Sequence, residues 1–353
     1  MREWMSTRMN DNNRLTRTKS KYPLTTTCIL VGLMTLLSLS GCHLAERRAQ
    51  KERAEAERNS QVEAYLIEAE TLRSAGDDEA ALDVLAKAVE INPTIFQAQI
   101  GMADIYRTQG DNNRAIDKYR KAIAINPKDY DANYFLGLCL QLTDRFAEAI
   151  RAYRRAIAID PESPEANLNV ATAYLQTDQP LEALPFGKRA AELQPDHGPT
   201  HINLAAIYSA LGMHENAVRE YQNASELMEL PPDVMVNFAD GLRVLKRYPE
   251  MINTLQALIR RQPTPAAYER LGYAYFKTKQ FTESKDAYRK SVAMDDSYYP
   301  ALNGLAVNLL NDYIRSGHTQ AESLTEAVEL LRKSIRIEAN QPRIVDLLSR
   351  YGR

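Results

Sequence analysis

Three asparagines, Asn169, Asn203 and Asn237, stand 34 residues apart. A carboxamide both donates and accepts hydrogen bonds, so a row of them can pair with peptide units whatever side chains those units carry. Carried back, the same spacing falls on Gly101 and Phe135, which confines such a row to the middle of the chain. Asn133 and Asn167 lie two positions earlier in the same phase and would widen it. Arg107 and Arg243 add two fixed cations able to clamp an acidic group. These residue types suit holding an extended polypeptide.

Groupings suited to catalysis are missing from the sequence. His197 and His201 are four apart, but Gly198-Pro199 between them disfavours the helical geometry of a metal pair. His214-Glu215 lacks the second histidine of a zinc-protease helix, and there is no Gly-rich phosphate loop, Gly-x-Ser-x-Gly or Cys-x-x-Cys. The acid pairs Asp77-Asp78 and Asp295-Asp296 fall at turns between helices, where capping explains them. The reading is a non-enzyme with no cofactor and no metal.

The asparagines share a phase only if the elements that carry them repeat. Pro93, Pro127, Pro161 and Pro195 stand 34 residues apart, and Pro263 lies two periods further on. A self-repeat at this period indicates stacked helix–turn–helix units. Eight units start near residues 62, 96, 130, 164, 198, 232, 265 and 299. The third places Leu136-Gly137 in its first helix, Ala149, Tyr153 and Ala156 in its second, and Pro161 after it. The second offers Met102-Ala103, Tyr106, Ala115, Tyr119, Ala122 and Pro127, and the fifth Leu204-Ala205, Tyr208, Ala217, Tyr221 and Ala224. The seventh reads Tyr268, Leu271-Gly272, Tyr275 and Tyr288.

This pattern resembles the tetratricopeptide repeat, over residues 62–338. The resemblance implies an all-α helical solenoid of about eight repeats. Small residues let paired helices approach, and aromatics fill the wedge between pairs. The asparagine row resembles the ladder lining the groove of the O-linked N-acetylglucosamine transferase repeats, where amides hold a peptide backbone. Nothing after the array resembles a glycosyltransferase domain, so that activity is not carried over.

Three repeats depart from the pattern. Repeat four has Pro185 inside its second helix and Gly187 at the aromatic place, which predicts a kink there. Repeat six lacks the small residues of the second helix and carries Met251, Leu255 and Leu258 instead. Repeat eight has about nine extra residues around 311–320, from longer helices or a protruding loop. Residues 339–353, with Ile344, Leu347, Leu348 and Tyr351 spaced along one face, are predicted as a capping helix that closes the last apolar face.

The N-terminus reads as an export signal over residues 1–41: a basic stretch ending at Lys21, an apolar run from Leu24 to Leu39, then Leu39-Ser40-Gly41-Cys42. Those four residues resemble the lipobox of bacterial lipoproteins, which implies lipidation at Cys42 and attachment facing the periplasm. His43 in place of an aspartate implies, by the sorting rule of enteric-type bacteria, the outer membrane. Residues 42–61 form a charged tether, helical or loose. Without the first 41 residues the chain has 38 basic against 44 acidic residues, which gives no footprint for nucleic acid. Cys139, between Leu138 and Leu140, is read as a buried, inert thiol.

Together these features predict a lipid-anchored envelope scaffold that binds an extended segment of another envelope protein in the groove of the array. Two alternatives stay open: a structural lipoprotein that self-associates through its ends or through 311–320, and a glycan-binding accessory of a cell-wall enzyme.

Overall fold

The computed structural model describes residues 24–352, with side chains from Glu46 onward. Every regular element among the described residues is an α-helix, and the contacts divide the chain into two units that meet between Pro93 and Thr94.

The first unit contains α1 (Leu24–Ser74) and α2 (Asp78–Ile91). The charged tether is helical, because α1 runs through it without a break. Residues 46–61 are exposed, and Val62 is the first buried side chain. Oppositely charged side chains three and four apart support a helix of this kind. From Val62 onward α1 packs on α2, which buries Ala81, Val84, Leu85 and Ala88. The proposed lipidation site, Cys42, falls in α1 where side chains lie outside the described residues, as do residues 1–23 altogether. No described helix is long and apolar enough to cross a membrane.

The second unit is a run of seven helical hairpins. They are α3 (Phe96–Thr108) with α4 (Asn112–Ile125), α5 (Tyr130–Gln141) with α6 (Phe146–Ile159), and α7 (Pro164–Gln176) with α8 (Pro180–Leu193). Next come α9 (Gly198–Ala210) with α10 (His214–Leu227), α11 (Pro232–Val244) with α12 (Tyr248–Arg261), and α13 (Pro265–Lys277) with α14 (Phe281–Met294). The last pair is α15 (Tyr299–Arg315) with α16 (Ala321–Ile337), followed by α17 (Pro342–Tyr351). With α1/α2 these are the eight repeats that the sequence predicts.

Within a hairpin the helices meet at small residues. A Cβ at Gly137 would lie 2.6 Å from the Tyr153 ring, so any larger residue would push the ring away. The second-helix tyrosines Tyr119, Tyr153 and Tyr221 are fully buried. Tyr119 stacks on Phe135 and Tyr221 tilts against Phe238, each a residue of the next hairpin. Repeat four replaces this ring with Gly187, and the Cδ1 atom of Ile207 in α9 occupies the space. Phe186, one place early, stacks on Tyr174. Repeat six fills the same place with the buried side chain of Leu255.

Pro185 lies inside α8, which continues as one helix to Leu193. Its missing N–H leaves the Leu181 carbonyl without its helical donor; Leu181 is 71% exposed, on a face open to water. In repeat eight the extra residues lengthen both helices to 17 residues, so the insertion is mostly added helical turn, with Ser316–Gln320 as the connection. The terminal helix α17 packs on α16, burying Ile344 and partly burying Leu347, Leu348 and Tyr351, as a cap must.

Each of the first seven hairpins turns through one residue in the left-handed backbone region, and the eighth through two, Gly317 and His318. Gly76, Gly110, Asp144, Asp178, Gly212, Lys246 and Lys279 occupy this place in the first seven repeats, with φ between 55° and 80°. Glycine adopts it freely, whereas a lysine side chain clashes with its own backbone. Lys246→Gly is expected to stabilise the protein by about 0.5–1 kcal/mol, and Gly212→Ala to destabilise it by about 1 kcal/mol, in urea unfolding followed by circular dichroism.

Candidate functional site

In the second unit, first helices touch first helices: α5 contacts α7, α7 contacts α9, α9 contacts α11, and α13 contacts α15. One face of the array is therefore a row of first helices, and residues at equal phase line up across it. The asparagine phase runs Gly101, Phe135, Asn169, Asn203, Asn237, Arg270 and Gly304.

Two of the three predicted asparagines tie helices together. Asn169 on α7 donates from Nδ2 to the Tyr134 hydroxyl on α5 at 3.0 Å. Asn203 on α9 donates to Thr172 Oγ1 on α7 at 2.8 Å, and its own carbonyl oxygen is buried without a partner. Asn237 is exposed and makes no hydrogen bond among the described residues.

Asn133 and Asn167 do not widen the row. Both are buried, and both donate from Nδ2 to backbone carbonyls at the preceding turn: Asn133 to Pro127 and Asp129, Asn167 to Pro161 and Ser163. A buried amide placed to meet turn carbonyls braces that turn. His201 fills this place in repeat five, with Nε2 2.8 Å from the Pro195 carbonyl and Nδ1 2.8 Å from Glu220 Oε2. His197 caps α9 outside the helix and bonds Thr200 instead, so the two histidines have separate partners. Among the described residues, no three His, Cys, Asp or Glu side chains gather as a metal would need. Cys139 is buried, and burial pushes its thiol up to about 11.

The two arginines sit on α3 and α11 and do not converge. Arg107 donates from Nε to the Tyr119 hydroxyl at 3.1 Å, lies 3.7 Å from Asp104, and stacks 4.3 Å above the Phe135 ring. Tyr119 in turn donates to Asp104 at 2.6 Å. Arg107 is thus occupied in satisfying a buried tyrosine. Arg243 stands at the same phase, but repeat six has Leu255 in place of the tyrosine and so offers no hydroxyl. Arg243 reaches Asp240 at 3.4 Å instead and stays half in solvent.

Around Arg243 the row of first helices opens into a cavity of 410 Å³ lined by Asp240, Arg243, Glu269, Arg270, Tyr273, Tyr298 and Pro300. Arg270 grips Asp240 with two bonds of 3.3 Å, from Nε to Oδ1 and from a terminal nitrogen to Oδ2. Arg270 is the asparagine-phase residue of repeat seven. Counting 34 from Asn237 lands on Leu271, because this repeat begins one residue early; only the Leu271-Gly272 pair reveals the correct register.

Family models described as tetratricopeptide repeat match residues 100–164 and 143–197, and another so described matches 62–95 and 265–298. The chain carries tetratricopeptide repeats. Among solved structures it is similar to YrrB, described as a TPR protein with an unusual peptide-binding site, at 17% identity over 56% of this chain and 98% of that one, TM-score 0.49. A tetratricopeptide repeat protein from Parabacteroides merdae gives 15% identity over 71% and 99%, TM-score 0.48. PilF of Pseudomonas aeruginosa gives 20% over 60% and 96%, TM-score 0.48. No curated protein matches the chain significantly.

The tetratricopeptide-repeat face thus mixes bracing asparagines with one open asparagine. Asn203→Ala is expected to destabilise the protein by about 1–2 kcal/mol, through loss of the tie to Thr172. Asn237→Ala is expected to leave stability within about 0.5 kcal/mol, because its side chain is exposed and makes no hydrogen bond among the described residues. Urea unfolding of the two variants side by side checks both.

Proposed function

We propose that this chain is a non-catalytic scaffold that holds an extended segment of another protein along the first-helix face of repeats four to seven. The single observation that carries this reading is the row Asn169, Asn203, Asn237 and Arg270, four polar groups at one phase of successive first helices. Each tie made by Asn169 and Asn203 uses one N–H of the amide. The second N–H, and the carbonyl of Asn169, suit a peptide backbone, while Asn237 offers its whole amide. Rigid hairpins present these groups without further ordering, which limits the entropy cost of binding. Arg243 adds a charged group at the end of the row, whereas Arg107 serves the fold.

The N-terminal residues support a second part of the reading. Cys42 after Leu39-Ser40-Gly41 would carry the acyl chains and tie the scaffold to the periplasmic side of a bacterial envelope membrane, the outer one by the His43 rule. The exposed helix over 46–61 would then space the repeats from the bilayer. The partner is, on this reading, another envelope protein.

Two measurements test the parts separately. A photo-crosslinking residue placed at Asn237 is expected to capture a protein partner in intact cells, while the same residue at Arg154 on a second helix captures none; equal yields at both places would count against the groove. Metabolic labelling with palmitate is expected to mark the wild-type protein and to be abolished by Cys42→Ser, with the variant lost from mature envelope fractions. Unchanged labelling would remove the anchor and leave the groove untouched.

A further inference from the structure

One position before the asparagine phase, the first-helix face is apolar in five successive repeats: Ile100, Tyr134, Leu168, Ile202 and Val236, all half-buried. In repeat seven the same position is Glu269. A row of apolar side chains thus turns into a carboxyl where the cavity opens.

The other charges of the cavity are matched to one another. Asp240 receives both guanidinium groups, Arg270 through two bonds and Arg243 through one. No donor among the described residues reaches Glu269. Burial pushes its carboxyl above the usual range, and the opposite pull of Arg270 and Arg243 does not cancel this. Tyr273 and Tyr298 line the same space.

We infer that the segment held along repeats four to seven carries a lysine or arginine whose charged head enters this cavity and donates to Glu269. The inference rests on the groove reading above and adds a preference for a basic side chain at one point of the segment. A half-buried carboxylate without a donor is best served by a donor that brings opposite charge. Tyr273 and Tyr298 add ring surface to the lining, and the long stem of lysine or arginine covers the apolar margin at Pro300. An acidic side chain would instead meet Asp240 and Glu269 and would have to draw Arg243 off its partner.

The test uses the full-length protein in detergent and fluorescein-labelled, amidated Thr/Val peptides of about nine residues, long enough to span several repeats in extended form. Lysine is scanned through every position, with norleucine and glutamate as matched sets, and affinity is read by anisotropy. At one or two positions lysine is expected to bind at least about tenfold tighter than norleucine. That advantage is expected to vanish in Glu269→Gln and to survive in Asn237→Ala, which weakens all peptides alike. Glu269→Gln removes an ionisation that burial opposes, so it is expected to fold at least as stably as wild type. The lysine advantage is also expected to grow as pH rises through the Glu269 titration, since the ionised carboxylate is the binding form. Asp240 and Arg243 on α11, Arg270 and Tyr273 on α13, Tyr288 on α14 and Tyr298 before α15 are the titratable groups that share its surroundings and shape that curve. Equal binding of lysine and norleucine at every position would overturn the cavity assignment and leave the groove standing. Preference for glutamate would give the cavity to an acid through Arg243 and overturn it as well. No saturable binding by any peptide would overturn the groove and the cavity together.

Discussion

A hairpin of two amphipathic helices exposes an apolar edge that it cannot cover by itself, and in this protein the cover comes from a ring lodged between one hairpin and the next. Tyr119 reaches Phe135, Tyr221 reaches Phe238, and Tyr288 comes so close to Gly304 that a Cβ there would lie 2.1 Å from its ring. Burying such a side chain stabilises by roughly 1.5–3 kcal/mol, and the gain exists only when both neighbours are in place. Where the ring is missing the space is still filled, in repeat four by Ile207 from the next hairpin and in repeat six by its own Leu255. The wedge must be filled; the identity of the filler is free to vary.

That freedom has a polar consequence. A buried tyrosine brings a hydroxyl that needs a partner, and the partners come from the first helix of the same hairpin: Asp104 and Arg107 for Tyr119, Gln141 for Tyr153. First-helix residues near the open face are therefore in part committed to holding the fold. Replacing the ring by Leu255 in repeat six removes the hydroxyl, and Arg243 is released to face Asp240 and the cavity. A change in the wedge thus alters the chemistry of the opposite face.

The 34-residue period made the hairpins legible, because proline and small-residue positions report directly on helix ends and close approaches. Repeat eight and the capping helix could be read from the spacing of Ala327 and of Ile344, Leu347 and Leu348. The site was only partly legible. Asn133 and Asn237 look alike in sequence, yet one donates to the Pro127 carbonyl and the other faces solvent, and two positions of helical phase make the difference. Arg270 was hidden because repeat six is one residue short, so that repeat seven begins early. Glu269 was hidden because a single carboxylate among apolar equivalents has no motif; its meaning depends on Asp240 having absorbed both arginines, which only the three-dimensional arrangement shows.

In a repeat array each phase is an address, and a residue can be exchanged at one address while the packing of the rest is kept. Repeats two to six hold apolar side chains at the Glu269 phase and so treat whatever lies over them as an uncharged surface. Repeat seven changes two adjacent addresses at once, apolar to Glu269 and amide to Arg270, and pairs the new cation with Asp240 from the repeat before. Isolated, Glu269 would add a negative charge, or Arg270 a positive one, to a half-buried pair that Asp240 and Arg243 already balance, which is costly. Made together, they keep the cluster near electrical balance while leaving one carboxyl without a donor. On the groove reading proposed above, the strongest discrimination along this face would belong at its repeat-seven end, with the row before it contributing affinity that depends little on sequence.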